Sequence, residues 1–168
     1  MGEYSHKAFS DERYTVWFMN SKYHNVPYIG GIEQKDDDFS FGATILDRTE
    51  YSVTMDIAAA YNDDSIRHWI RSMKYNRDKA EYVLDEHYEL TKEMDIDLHI
   101  MLPKEPVLEE GRIVLDGGFE ILYNDMKATY EKVDLDDKLM EKYWGEVYRL
   151  KLSFRGKCGD VHYTIRRI

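Results

Sequence analysis

Asp95-Ile96-Asp97-Leu98-His99-Ile100-Met101-Leu102 decides the fold. Ile96, Leu98, Ile100 and Leu102 alternate with Asp95, Asp97 and His99. Successive side chains of a strand point to opposite faces, so a period of two predicts a strand with one buried side. The same period recurs outward from this segment. Tyr14, Val16 and Phe18 alternate with Arg13, Thr15 and Trp17, and Tyr51, Val53, Met55 and Ile57 with Ser52, Thr54 and Asp56. Tyr148, Leu150, Leu152 and Phe154 form another set, and Val161, Tyr163 and Ile165 a further one. Weaker runs cover 42–46, 66–74, 81–88, 111–115, 119–123 and 126–132.

Turn signals separate these runs. They include Gly30-Gly31, Asn62-Asp63-Asp64, Asn76-Arg77-Asp78, Glu110-Gly111, Asp116-Gly117-Gly118 and Gly156-Lys157-Cys158-Gly159. Glycine, asparagine and aspartate tolerate the backbone angles that turns require. Many short strands at this spacing predict an all-β fold, an antiparallel β-sandwich of roughly ten strands. A sheet with one apolar face needs a second layer to cover it. One short connecting helix is expected over 138–144, with acids ahead of it at Asp134, Asp136 and Asp137 and Gly145 behind. The 168 residues suit a single domain over 1–168, with no internal repeat or linker.

The chain has 23 Lys and Arg against 33 Asp and Glu, a formal net charge of -10. A general attraction to nucleic acid or to an anionic membrane is therefore not expected. No apolar run approaches the roughly 20 residues of a membrane span. Cys158 is the sole cysteine, so there is no internal disulfide and no cysteine-based zinc site. An anionic polymer would need basic residues gathered locally. No nucleotide-binding glycine motif or nucleophile elbow is present.

Six histidines are scattered along the chain. His87, His99 and His162 fall on the polar side of their alternation, which predicts wet strand faces. His24 differs. It lies in Tyr23-His24-Asn25-Val26-Pro27, just before Gly30-Gly31. Imidazole transfers protons and binds metals near neutral pH. A structural histidine bonding a carbonyl fits the same place. Arg67, Trp69 and Arg71 are expected on one strand face, as an anion-binding strip or as a cross-strand ion-pair face. Trp17 and Trp69 are candidates for an aromatic sugar platform.

Several segments read together resemble a known family. Phe9-Ser10-x-x-Arg13-Tyr14-x-x-Trp17 is followed by Ser21-x-Tyr23-His24-Asn25-x-Pro27 and Gly31-x-x-Gln34. Then come Met55-Asp56-Ile57-Ala58-Ala59-Ala60-Tyr61, Trp69-x-Arg71, Asp85-x-x-Tyr88-x-Leu90, and Trp144-Gly145 ahead of Tyr148-Arg149. This order resembles the C-terminal β-sandwich domain of the heparinase II/III-like polysaccharide lyases, in their alginate-lyase-like branch. Family members commonly have Asn-Gly where this chain has Gly30-Gly31, and Tyr-Pro where it has Tyr61-Asn62.

The resemblance implies a two-part enzyme that cleaves uronic-acid polysaccharides by β-elimination. Such chemistry needs a neutralised carboxylate, a base for the adjacent proton and an acid for the leaving oxygen. An N-terminal (α/α) toroid would carry most of these groups, so this chain alone is expected to be non-catalytic. The resemblance implies that His24 is a cleft residue of the full-length enzyme, with Tyr23, Asn25 and Gln34 contacting substrate. In some relatives the matching histidine helps hold a zinc, together with an upstream HxH strand and an aspartate. Neither upstream element is in this chain, and a structural zinc takes about four ligands. No cofactor is therefore expected in this chain, and zinc only in a longer protein that supplies the missing ligands. The implied partners are the toroid and an acidic polysaccharide. The implied location is periplasmic or secreted, with a signal outside this chain. The alternative is a non-catalytic carbohydrate-binding or domain-docking sandwich module.

Overall fold

The computed structural model describes residues 10, 12–35, 40–135 and 145–168. They form ten strands and a series of short 3-10 turns. The strands are β1 (Pro27–Ile29), β2 (Thr44–Arg48), β3 (Ser52–Asp56), β4 (Ile66–Asn76) and β5 (Glu81–Leu102). They continue as β6 (Val107–Glu109), β7 (Arg112–Leu115), β8 (Phe119–Tyr123), β9 (Lys127–Lys132) and β10 (Tyr148–Arg167). Every strand pairing is antiparallel. The all-β sandwich predicted from the sequence is observed. The helix expected over 138–144 lies outside the described residues.

Two long strands organise the sandwich. β5 and β10 pair along their whole length, from Tyr148↔Leu102 to Arg166↔Glu81. One half of this ribbon is flanked by β1 on β5 and β9 on β10. The other half is flanked by β4, β3 and β2 on one side and by β8, β7 and β6 on the other. A single core joins both halves, from Ile29, Leu98 and Leu152 to Trp69, Ile113 and Ile121.

The segment Gly156 to Gly159 was expected to be a turn. It is instead a register shift inside β10, between Gly156 and Cys158. The surplus lies on β5, which runs from Met94 to Glu89 while β10 runs only from Gly156 to Cys158, and across this irregularity the inward side of β10 switches. Before it, Tyr148, Leu150 and Leu152 are buried; after it, Tyr163 is. Gly156 also clears space for a ring, because a Cβ there would lie 2.1 Å from the Tyr88 hydroxyl oxygen. Tyr88 reaches across to Phe154 with ring centroids 5.5 Å apart.

Other expectations are corrected. The run from Arg13 to Phe18 is not a strand; it lies in the 3-10 turns Arg13–Thr15 and Trp17–Met19. β5 is already paired by β1 and β10 here, and β10 by β9, so the ribbon has no edge to offer it. Residues 13–26 form a strap instead. Trp17, Phe18 and Tyr23 pack with Met101 on Val133, Leu135 and Val147. His99 is not wet, being only 3% exposed. Its face of the sheet is polar, but the strap covers it. Arg67 does not share a face with Trp69 and Arg71. A register shift between Ile66 and His68 turns it outward, leaving Trp69 and Arg71 buried.

Candidate functional site on the His24 flank

The strap is shaped by local hydrogen bonds. Asn20 takes an extended backbone and its side chain accepts from the Lys22 amide at 3.0 Å. This opens the 3-10 turn Ser21–Tyr23, which closes when the His24 amide donates to the Ser21 carbonyl. Pro27 then starts β1, where its missing N–H is harmless on a strand's first residue.

His24 is exposed, and its Nε2 lies 3.0 Å from the Phe18 carbonyl. A carbonyl only accepts, so Nε2 carries the proton. In the neutral ring Nδ1 is then the acceptor. The sequence left open a carbonyl-bound histidine and a chemically active one. The first describes one nitrogen, and the other has no hydrogen-bond partner among the described residues.

His24 and Gln34 line the same cavity, of about 730 Å³, with Asn20, Glu33, Lys35 and Asp63. Gln34 is fixed by its amide, which donates to Ser21 Oγ at 3.0 Å. Lys35 is fixed by its amide, which donates to the Ala60 carbonyl at 2.8 Å. Ser65 holds the Asp63 carboxyl below its ordinary range. Asp63 also borders a second hollow of about 550 Å³, with Phe41, Leu46, Asp56 and Arg67. The two hollows therefore adjoin along one flank.

Tyr23 and Asn25 stand elsewhere. The Tyr23 ring packs edge-on against Trp17 and under the Arg149 guanidinium, 4.5 Å from the ring centroid. The Asn25 side chain accepts from the Met101 amide at 2.8 Å, tying the strap to β5. Sequence reasoning missed Asn20, Glu33, Lys35 and Asp63 in the cavity. Glu33 and Lys35 flank Gln34 in the chain, and only that proximity could have signalled any of them.

The aromatic candidates do not make a platform. Trp17 meets Phe18 at 89° and Tyr23 at 75°, whereas a sugar platform needs coplanar exposed rings. Trp69 is fully buried and stacks on Tyr88. No group of three or more metal-ligating side chains is found among the described residues, so they do not make up a zinc set around His24.

Beneath the flank lies a buried ionic network. Arg71 Nε donates to Glu86 Oε1 at 2.6 Å, and Trp69 Nε1 donates to Glu86 Oε2 at 2.6 Å. Burial pushes the Glu86 carboxyl up, against the opposing pull of Arg71 and Trp69. Arg71 Nη1 donates to the Asn25 carbonyl at 2.8 Å, and the Tyr61 hydroxyl to the Pro27 carbonyl at 2.5 Å. The backbone on both sides of Val26, next to His24, is thus held from within the core.

The fold finds counterparts among solved structures. The heparan sulfate lyase HepC from Pedobacter heparinus matches 89% of this chain with a TM-score of 0.63 at 13% identity. A heparinase III with methylated lysines matches 98% with a TM-score of 0.65 at 11% identity. This is the fold of a heparinase III domain. A further heparinase III crystal structure matches 93% at 16% identity, with a TM-score of 0.57. In each heparinase the match covers only 25% or 26% of the chain, so this chain spans about a quarter of their length. No family model matches, and no curated protein matches.

Proposed function

We propose that this chain is the sandwich domain of a heparinase-like polysaccharide lyase, and that the His24 flank forms one wall of its substrate cleft. The observation that carries the reading is His24 itself. It sits on the rim of the cavity with no partner for Nδ1 among the described residues, beside Gln34 and Lys35, on a fold shared with heparan sulfate lyases.

The reaction proposed is β-elimination on a uronic-acid-containing polysaccharide. Lys35 is the cation on this wall suited to a uronate carboxylate, and Gln34 can bond to sugar hydroxyls. His24 Nδ1 is placed to accept a proton or to orient a neighbouring base. The remaining groups would come from an N-terminal (α/α) toroid, so the isolated chain is non-catalytic. A zinc would need ligands from that other part, since His24 is the only residue proposed for it here. The parent protein is proposed to be periplasmic or secreted.

The test is an ultraviolet assay for unsaturated uronates across a panel of uronic-acid polymers. It compares this chain with a version extended N-terminally through any helical domain its gene encodes. Activity only in the longer protein, lost in His24→Ala, is the expected result. Turnover by the isolated chain would overturn the division of labour. Inactivity of both would shift the reading to a carbohydrate-binding or docking module.

A further inference from the structure

His99 is a buried histidine whose ring nitrogens close no full hydrogen bond. Such groups are rare in native structures, because each one left unpaired costs stability. The ring stacks on Tyr28 of β1, with centroids 5.6 Å apart. Lys151 of β10 stands directly opposite in the register. Arg149 of β10 also faces it, and takes the Lys22 carbonyl of the strap at 3.1 Å. The acids nearby are already engaged. Ser153 donates to Asp97 at 2.6 Å, and Glu131 of β9 is bound by both Arg149 and Lys151.

A proton on His99 would therefore create a third cation beside two others, out of water, where the acceptor in reach is the Lys22 carbonyl that Arg149 already occupies. The cover above it is held by Arg149 at the Lys22 carbonyl, by Arg71 at the Asn25 carbonyl, and by two amides of β5, so opening must break all four bonds. The His99 amide donates to the Val26 carbonyl at 3.4 Å, and the Met101 amide to Asn25 Oδ1 at 2.8 Å. We propose that His99 is an acid-sensitive latch: protonation drives residues 20–26 off the sheet and carries His24 away from its cavity.

The direction follows from linkage. Burial first, and then the charge of Arg149, push His99 down from an ordinary 6.5 to about 4. With the strap open the ring regains its ordinary affinity for protons, so opening takes up a proton and is favoured as pH falls. The closed state keeps its full advantage above the ordinary value and loses it progressively towards the depressed one. Opening should rise about 20-fold between about pH 7 and about pH 5.

The test is native-state hydrogen exchange on this chain, read as protection factors so that the intrinsic pH dependence cancels. The Met101 amide reports the strap, and the Tyr123 amide, bonded to the Gly111 carbonyl at 3.1 Å, reports a distant hairpin. The expected result is a fall of about 20-fold at Met101 relative to Tyr123, absent in His99→Gln. Equal falls at both amides, or the same Met101 fall in His99→Gln, would overturn the latch. If His99→Gln does not fold, the ring titration of the wild-type chain by NMR decides. A His99 that titrates at or above its ordinary value sinks the proposal. The readout is backbone opening in this chain alone, so it stands or falls separately from the cleft reading.

Discussion

Arg71 binds Glu86 and the Asn25 carbonyl with a single guanidinium, so a charge buried between the layers fixes the strand entry next to His24. Its pairing with Glu86 is almost wholly removed from water, with side-chain exposures of 10% and 0%. Breaking such a pair is costly because the surviving charge has no solvent to retreat to.

Arg71→Met should lose about 3–5 kcal/mol in a urea unfolding experiment, since it strands Glu86. The double variant Arg71→Met/Glu86→Leu should be clearly more stable than the single one. A double variant as damaged as the single would mean that the Asn25 contact, and not the stranded carboxylate, dominates.

Gly156→Ala should destabilise the chain by about 1–3 kcal/mol, because overpacking forces side chains out of place. The hydroxyl of Tyr88 would lie 2.1 Å from the new methyl, and its Cζ 3.0 Å away. Adding Tyr88→Phe removes the nearer atom and should recover part of the loss in a thermal melt.

His68 and Asp56 form an ion pair at 2.7 Å. The hydrogen bond to Asp56 raises His68 above its ordinary value. Burial pushes the Asp56 carboxyl up, but His68 and the Ala58 and Trp69 amides outweigh this and hold it below its usual range. The histidine's contribution is complete below its ordinary value and is lost as pH rises through the raised one. The aspartate's is present above its ordinary range and is lost as pH falls through the lowered one. An NMR titration should show His68 titrating high in the native chain and returning towards its ordinary value in Asp56→Asn.

His24→Ala removes one hydrogen bond at an exposed position, so it should change unfolding stability by only about 1 kcal/mol. A melt close to that of the parent chain would show that any lost activity in a longer protein comes from chemistry and not from unfolding.

The strands were legible because alternation survives in the sequence even where topology does not. The inward phase switches between Phe154 and Val161, and that switch was readable. What could not be read was that the intervening glycines bend a continuous strand. Local turn chemistry and a bulge use the same residues. The same limit explains Arg67, whose phase is broken by a bulge no residue type announces. His99 shows a different limit. Period two separates the faces of a sheet but says nothing about what covers the second face, and the strap comes from residues 13–26. Of the candidate site, His24 and Gln34 meet at one cavity. Tyr23 and Asn25 do not, because neighbours in a strap project to different sides.

The ribbon of β5 and β10 also bears on synthesis. β10 is translated after the nine other strands, yet it pairs β5 along its length, β9 and β8. A nascent chain halted before Tyr148 would hold β9 with no partner strand and β5 with one long edge bare. Bare edges invite pairing with other chains. The domain is therefore expected to depend on chaperones until β10 clears the ribosome, and C-terminal truncations should aggregate rather than leave half a sandwich.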